Sequence, residues 1–249
     1  MEINFKGKTI IVTGATRGIG KQIANDLLES GANLILTGTD QYQIDLLNEK
    51  VHIENQNIKY IQLNLNNLKS INQFIDNLSY YPQIDGLVNN AGINKLNNIS
   101  NIIEDEWFEM LNVNLTGPLK LIKFVSEKMI SNNYGRIINI ASIFSIISKK
   151  NRSLYSATKF GLHGLTVGVS NDLAKYNIMV NTVSPGFVET DLTRKNLSND
   201  EINNLKLAIP SGRLANVTEI SSVVQFLLSD KNTYLTGQNI AIDGGFTNV

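Results

Sequence analysis

Cysteine is absent from the 249 residues, which excludes disulfides, thiolate nucleophiles and thiolate-held metals, and nothing in the chain points to an oxidising compartment. Histidine is nearly absent: His52 and His163 stand alone and far apart, so no metal site is expected. Net charge is absent too. Lysine plus arginine number 22, as do aspartate plus glutamate, and a chain without a broad field of either sign has no general attraction for nucleic acid or for an anionic membrane. No apolar run approaches the roughly 20 residues of a membrane span. The stretch Met1 to Lys8 lacks the apolar centre of a secretion signal, so a cytoplasmic enzyme is expected. With four prolines, no Gly/Ser-rich or Pro-rich linker and no fixed-period repeat, nothing marks an internal domain boundary.

What is present is a 42% hydrophobic chain that alternates short apolar runs with longer amphipathic ones. That alternation is the pattern of strands and crossover helices in a parallel α/β sheet. Strands are expected at Thr9–Thr13, Leu34–Thr37, Tyr60–Leu63, Gly86–Asn89, Arg136–Ala141, Met179–Val183 and Asn239–Ile242. Helices are expected at Ile19–Ser30, Gln41–His52, Leu68–Ser79, Glu104–Ile130, Leu154–Tyr176 and Thr218–Ser229, the fourth broken or bent near Gly117–Pro118. The expected fold is therefore one doubly wound, Rossmann-like parallel sheet of about seven strands with helices on both faces. In such folds ligands bind at the C-terminal strand edge, near the point where strand order reverses.

Directly after the first expected strand comes Thr13-Gly14-Ala15-Thr16-Arg17-Gly18-Ile19-Gly20, which runs straight into a helical pattern. Glycines let the backbone turn tightly and approach a phosphate, and the helix start offers unpaired N–H groups with a positive dipole end. Gly14, Thr16, Arg17, Gly18, Ile19 and Gly20 are thus candidates to hold a dinucleotide pyrophosphate. The spacing is G-x-x-x-G-x-G, and an ordinary strand-to-helix turn would use similar residues.

Further motifs follow in order: Asn89-Asn90-Ala91-Gly92, Asn114 within Asn112-Val113-Asn114, Ser142 after an apolar run, Tyr155-Ser156-Ala157-Thr158-Lys159 as Y-x-x-x-K, then Pro185-Gly186 with Val188 and Thr190. Together with the glycine loop they resemble the short-chain dehydrogenase/reductase family from Gly7 to Gly245. The run Pro185 to Asp191 and the ending Asp243-Gly244-Gly245 are most similar to the family's bacterial 3-oxoacyl-acyl-carrier-protein reductases and their near relatives.

The resemblance implies a carbonyl reductase whose catalytic residues are Asn114, Ser142, Tyr155 and Lys159. Reducing a ketone needs a hydride on carbon and a proton on oxygen, and a nicotinamide supplies only the hydride. Tyr155 would be the acid, with Lys159 one helical turn later on the same face to lower its pKa. Read alone, the pair is more readily a buried aromatic beside a surface lysine on an amphipathic helix. Ser142 would hold the substrate oxygen, or merely cap a strand end. Asn114, by resemblance, would hold a water that links Lys159 to solvent, and could otherwise be a helix-kink asparagine.

The family likeness also places Thr39, Asn64, Leu65, Asn90, Ala91, Gly92, Pro185, Gly186, Val188 and Thr190 around the cofactor, with Tyr155 and Lys159 reaching its nicotinamide ribose. The position where NAD enzymes carry a ribose-binding carboxylate falls on Gly38, and Arg17 is placed to pair a 2′-phosphate. NADP(H) is therefore expected, with NAD(H) the alternative because Asp40 follows two positions later. Three functions stay open: 3-oxoacyl-carrier-protein reduction, reduction or oxidation of a sugar or other small polar and even anionic substrate, and a non-catalytic dinucleotide-binding regulator. The family's carrier-protein enzymes place cations near the ends of the two long helices. Here those positions hold Asn133 and Tyr176, with Lys128, Arg136 and Lys175 nearby. The loop Ser148-Lys149-Lys150-Asn151-Arg152 is expected to border the substrate, as an anion site or a solvated turn, and residues 192–210 are expected to form a lid. A homotetramer paired through the two long helices is the oligomer the family implies.

Overall fold

All seven expected apolar runs become strands of one parallel sheet in the computed structural model, which describes residues 3–54, 57–190, 193–194 and 198–249. The strands are β1 (Thr9–Val12), β2 (Asn33–Gly38), β3 (Ile58–Gln62), β4 (Gly86–Asn89), β5 (Gly135–Ile140), β6 (Ile178–Pro185) and β7 (Asn239–Ile242). Their order is β3-β2-β1-β4-β5-β6-β7, so the winding reverses between β1 and β4. Central strands of such a sheet are covered on both faces and read as nearly unbroken apolar runs. β4 and β5 are buried at every position, whereas the edge strand β3 has exposed Lys59 and Gln62.

Helices α1 (Gly18–Glu29), α2 (Gln41–Ile53), α3 (Leu68–Ser79), α4 (Glu104–Leu111), α5 (Gly117–Ser131), α6 (Ser153–Leu173), α7 (Asn199–Ala208) and α8 (Val217–Leu228) fill the connections. They divide the core in two. One cluster sets Ile23, Ala24 and Leu27 of α1 and Ile220, Val224 and Leu227 of α8 against β1, β2 and the outer strands. The other sets Ile71, Phe74 and Leu78 of α3 and Leu121, Val125 and Met129 of α5 against the opposite sheet face.

Two expectations change. The long helix expected over Glu104–Ile130 is interrupted by a π-helical turn at Asn112–Thr116, just ahead of the expected break, where the Gly117 N–H reaches back five residues to the Asn112 carbonyl. Pro118 explains the disruption: it stands four residues after Asn114 and has no N–H to give that carbonyl. The second change is α7, a helix inside the stretch read as an irregular lid. It starts on a reciprocal capping box between Ser198 and Glu201, a signal already legible in Ser198-Asn199-Asp200-Glu201. Residues 192 and 195–197 of that stretch lie outside the described residues, as does Asp191.

Candidate active site

The crevice lies beyond the C-terminal ends of β1 and β4, where the strand order reverses. Gly14 and Gly18 have φ of +62° and +56°, the left-handed region that a side chain would strain. A Cβ on Gly20 would run into the Asn90 amide and the Gly14 carbonyl, so glycine is also what lets α1 begin against the loop. Short polar side chains fix this cradle. The Thr13 hydroxyl accepts from the Asn90 and Ala91 N–H groups at 2.9 and 3.0 Å, and the Asn90 amide donates to the Thr13 and Gly14 carbonyls at 2.9 and 3.1 Å. The Gly14 N–H donates to the Thr37 hydroxyl at 3.2 Å. Thr13 and Thr37 are additions to the sequence-based candidates, and their signal was a buried hydroxyl within an apolar strand.

These contacts leave the α1 N-terminus open for a pyrophosphate, and the donor set fits a dinucleotide. Gly38 closes β2 facing Thr16, whose methyl group fills the place that a side chain at 38 would need. A ribose-binding carboxylate is sterically as well as chemically missing there. Asp40 turns away from this role, its carboxylate accepting from the Gln43 N–H at 3.1 Å as the cap of α2. Arg17 is exposed at the N-cap of α1 and makes no ion pair among the described residues.

The other cofactor candidates separate. Ile19, in the first turn of α1, packs on the core. Thr39 is exposed just past β2, its carbonyl held by Gln62 at 3.0 Å. Asn64 is turned inward on its own loop, accepting from the Asn66 N–H at 2.9 Å, and Leu65 is buried against Gly117. The Leu65 side chain thus packs in the core beside the crevice. Pro185 and Gly186 end β6, with Gly186 packed on the Asp243 backbone so closely that a Cβ would stand 2.8 Å from the Asp243 Cα. Val188 is buried in a bridge to Ala215. Thr190 sits beside Gly18, but its hydroxyl is already engaged with Thr193 at 3.0 Å, the turn role.

The catalytic candidates converge at the mouth of β5. Lys159, 3% exposed, donates from Nζ to the Ile140 carbonyl at 2.9 Å. Burial pushes its ammonium down to about 8. Its Nζ lies 5.7 Å from the centre of the Tyr155 ring. Burial raises the Tyr155 hydroxyl above its usual value, against the opposing pull of the Ser142 hydroxyl and of the Arg152 charge. The expected lowering by Lys159 is thus not met by the protein alone: the ammonium is turned to a backbone carbonyl, and desolvation of the phenol outweighs the pull of Ser142 and Arg152. A phenol in that state stays protonated at neutral pH, as a proton donor must.

Ser142 holds an extended conformation and opens a short 3₁₀ turn, Ile143–Ser145. Ser145 ties it down by donating from Oγ to the Ser142 carbonyl at 2.7 Å, and is itself held by Ser184 and Asn239. The supports beyond Ser145 were invisible in the sequence, because they come from the end of β6 and the start of β7. Asn114, 1% exposed, pairs both ends of its amide with the Ile93 backbone at 2.9 Å and donates to Thr158 at 3.1 Å. Its side chain is therefore spent, while its backbone carbonyl is the one that Pro118 cannot pair. Gly92 sits between Asn114 and the Lys159 Nζ.

The substrate side is less as expected. Arg136 is no surface cation: it is buried in β5, donating to the carbonyls of Gly135, Asn177 and Asn232 at 2.8–2.9 Å. Lys128 spends its ammonium on the Tyr81 carbonyl at 2.7 Å. Asn133 takes φ of +49°, so it serves a turn. Of the cations near the ends of the two long helices, Lys175 alone makes no such contact among the described residues.

Fold, glycine cradle and the Tyr155–Lys159 pair, its lysine buried, define a dinucleotide-binding oxidoreductase of the α/β class. The chain belongs to the short-chain dehydrogenase family, whose model matches residues 8–201. It is 36% identical over 244 residues to the 3-oxoacyl-acyl-carrier-protein reductase FabG of Salmonella typhimurium, covering 98% of each chain. It is 38% identical to the Aquifex aeolicus protein of that name, covering 98% of this chain and 99% of the relative. Its fold matches a Burkholderia cenocepacia gluconate 5-dehydrogenase solved with NADP and tartrate, with a TM-score of 0.92 and 30% identity over 100% of this chain and 98% of the other. The cofactor is accordingly a nicotinamide dinucleotide. Among the described residues no helix is long and apolar enough to cross a membrane.

Proposed function

We propose that this chain is an NADP(H)-dependent carbonyl reductase acting on 3-oxoacyl thioesters, with Tyr155 as proton donor. The observation that carries the reading is the convergence of a protonated Tyr155, a buried Lys159 anchored to Ile140 and a tied-down Ser142 at the end of β5. When bound, the reduced nicotinamide supplies the hydride for the carbonyl carbon. Ser142 and Tyr155 hold the carbonyl oxygen, and Tyr155 gives it a proton as negative charge develops. Lys159, with an ammonium near 8, recharges Tyr155 and holds the ribose, and the Asn114 backbone carbonyl, which Pro118 cannot pair, holds the water that leads to solvent. Arg17 pairs the 2′-phosphate, and Gly38 carries no carboxylate to repel it. A regulator without turnover has no use for this relay.

The thioester reading rests on the reductases of matching length. A second reading, a small polar substrate, draws on the Burkholderia relative and on the scarcity of free cations where a carrier protein would dock. Residues 192–210, with α7, serve as lid in either case. The exposed Phe108, Leu119, Phe160 and Val167 on α4, α5 and α6 support a homotetramer paired through those helices. NADPH and NADH oxidation with acetoacetyl carrier protein, acetoacetyl-CoA and a panel of sugar acids decides between the readings. The first expects the carrier-bound substrate to be preferred and its rate to fall with salt. Turnover of the sugar acids alone would establish the second.

A further inference from the structure

Arg152 occupies the N-cap of α6, three residues before Tyr155, with its carbonyl accepting from the Ser156 N–H at 2.7 Å. Its guanidinium is half-buried and lies 5.1 Å from the centre of the Phe144 ring, which in turn meets the Tyr155 ring edge-on at 6.1 Å. Among the described residues no carboxylate lies within 4.0 Å of it, and it donates no hydrogen bond. Glu189, in the segment after β6, is paired with Arg194 at 2.8 Å. On the other flank, Lys149 stands 5.7 Å from the ring centre of Phe187, which packs edge-on against Phe246.

Apart from its pull on the Tyr155 hydroxyl and its stacking on Phe144, the guanidinium gains little from this placement. Burial lowers the guanidinium's pKa, so desolvation is unfavourable to its charge. A cation at the start of a 21-residue helix also opposes the helix dipole. Stacking on Phe144 returns part of that, but the five N–H donors stay unused, and arginine's planar fork is the side chain best shaped for a carboxylate.

We propose that Arg152 is a specificity-determining residue that binds a carboxylate of the substrate, giving this chain a further activity: reduction of short oxo-carboxylates. The proposal rests on the carbonyl-reductase reading of Tyr155. A ketone held by Ser142 and Tyr155 places a carboxylate one or two carbons away beside Arg152, with Lys149 as a second cation at the rim. A thioester would offer Arg152 only a neutral carbonyl. In the reaction the carbonyl carbon receives the hydride of NADPH, leaving NADP⁺, while the oxygen takes the Tyr155 proton, which solvent restores through Lys159. The product is the hydroxy acid with its carboxylate unchanged.

The test compares acetoacetate with methyl acetoacetate, the same ketone without the charge, in wild type, Arg152→Ala and Arg152→Lys. Acetoacetate binding to the NADP⁺-loaded protein is measured in parallel by calorimetry. Arg152→Ala is expected to lower kcat/KM for acetoacetate about 30-fold, in line with loss of one charge-assisted pair, and for the ester by less than threefold. Arg152→Lys should restore part of the loss, and the calorimetric signal should vanish in Arg152→Ala. An equal fall for acid and ester would overturn the proposal, reducing Arg152 to a support for Phe144 and Tyr155. Reduction of the ester but not the acid by wild type would overturn it too, leaving the reductase reading intact. Should neither ketone be reduced, that reading fails, and calorimetry decides alone: Arg152-dependent binding of acetoacetate supports the carboxylate site, and its absence removes it.

Discussion

The two halves of the crevice are built from different material. On the β1–β4 side the cradle is backbone held by short side chains: Gly14 and Gly18 in left-handed conformations, Thr13, Thr37 and Asn90 closing the hydrogen bonds. On the β5–β7 side the site is long side chains held by other side chains and by carbonyls brought from far along the sequence: Lys159 on Ile140, Ser142 under Ser145, Arg152 on Phe144. The first half can hold only what fits a fixed array of N–H donors. The second depends on where a few charges end, and it is there that proton transfer and substrate choice reside.

The sharpest way to break the comparison is Tyr155→Phe, which removes a proton donor and almost no surface. It should lower kcat by about 10³-fold, in the range of general acid catalysis, with NADPH affinity within twofold by fluorescence titration. Loss of both together would mean that the two halves are not separable. Lys159→Met belongs to both. It should cost about 10²-fold in turnover and weaken cofactor binding, because it loses the ribose contact as well as the cation.

Lys159 also gives a stability signature. Its ammonium titrates near 8 in the folded protein against 10.5 when exposed, so between those values the unfolded chain binds more protons and stability rises with pH. For a shift of that size the rise is about 3 kcal/mol. Cofactor-free Lys159→Met should therefore be more stable than wild type at pH 7, with the difference shrinking toward pH 10. A constant difference in Tm across that window would contradict the buried ammonium.

A smaller effect sharpens the cofactor half. Arg17→Ala should weaken NADPH about tenfold, the scale of one charge-assisted hydrogen bond, and NADH less than twofold; equal weakening would put Arg17 elsewhere than on a 2′-phosphate. The smallest concerns the substrate half. Lys175→Ala should slow a carrier-bound thioester by no more than about threefold, only at low salt, because a lone rim cation acts mainly on encounter. A large, salt-independent loss would show a docking contact that an isolated lysine does not supply.

The halves also differ in how far they could be read from the chain. The glycine loop is legible because its demands are local: a positive φ at Gly14 and Gly18 and an open helix start are properties of adjacent residues. Tyr155 and Lys159 are legible because one helical turn fixes their relation. The π-turn at Asn112–Thr116 was half legible, since Pro118 announces a missing donor but not which carbonyl loses it. Leu65 was ambiguous, because a leucine after a strand looks alike whether it lines a pocket or packs, as it does here, on Gly117.

By itself the sequence determined the parallel α/β fold, the dinucleotide cradle and the Y-x-x-x-K pair, since apolar periodicity and short-range backbone geometry carry all three. Which charges are free was decided only by the tertiary structure. Arg136 and Lys128 read as surface cations until the fold spends them on the carbonyls of Gly135, Asn177, Asn232 and Tyr81, while Arg152, one of several basic residues in a loop, emerges beside the catalytic tyrosine without a partner among the described residues. The physical reason is that a charge is defined by what lies within a few ångströms of it, and those neighbours come from positions that no local pattern connects.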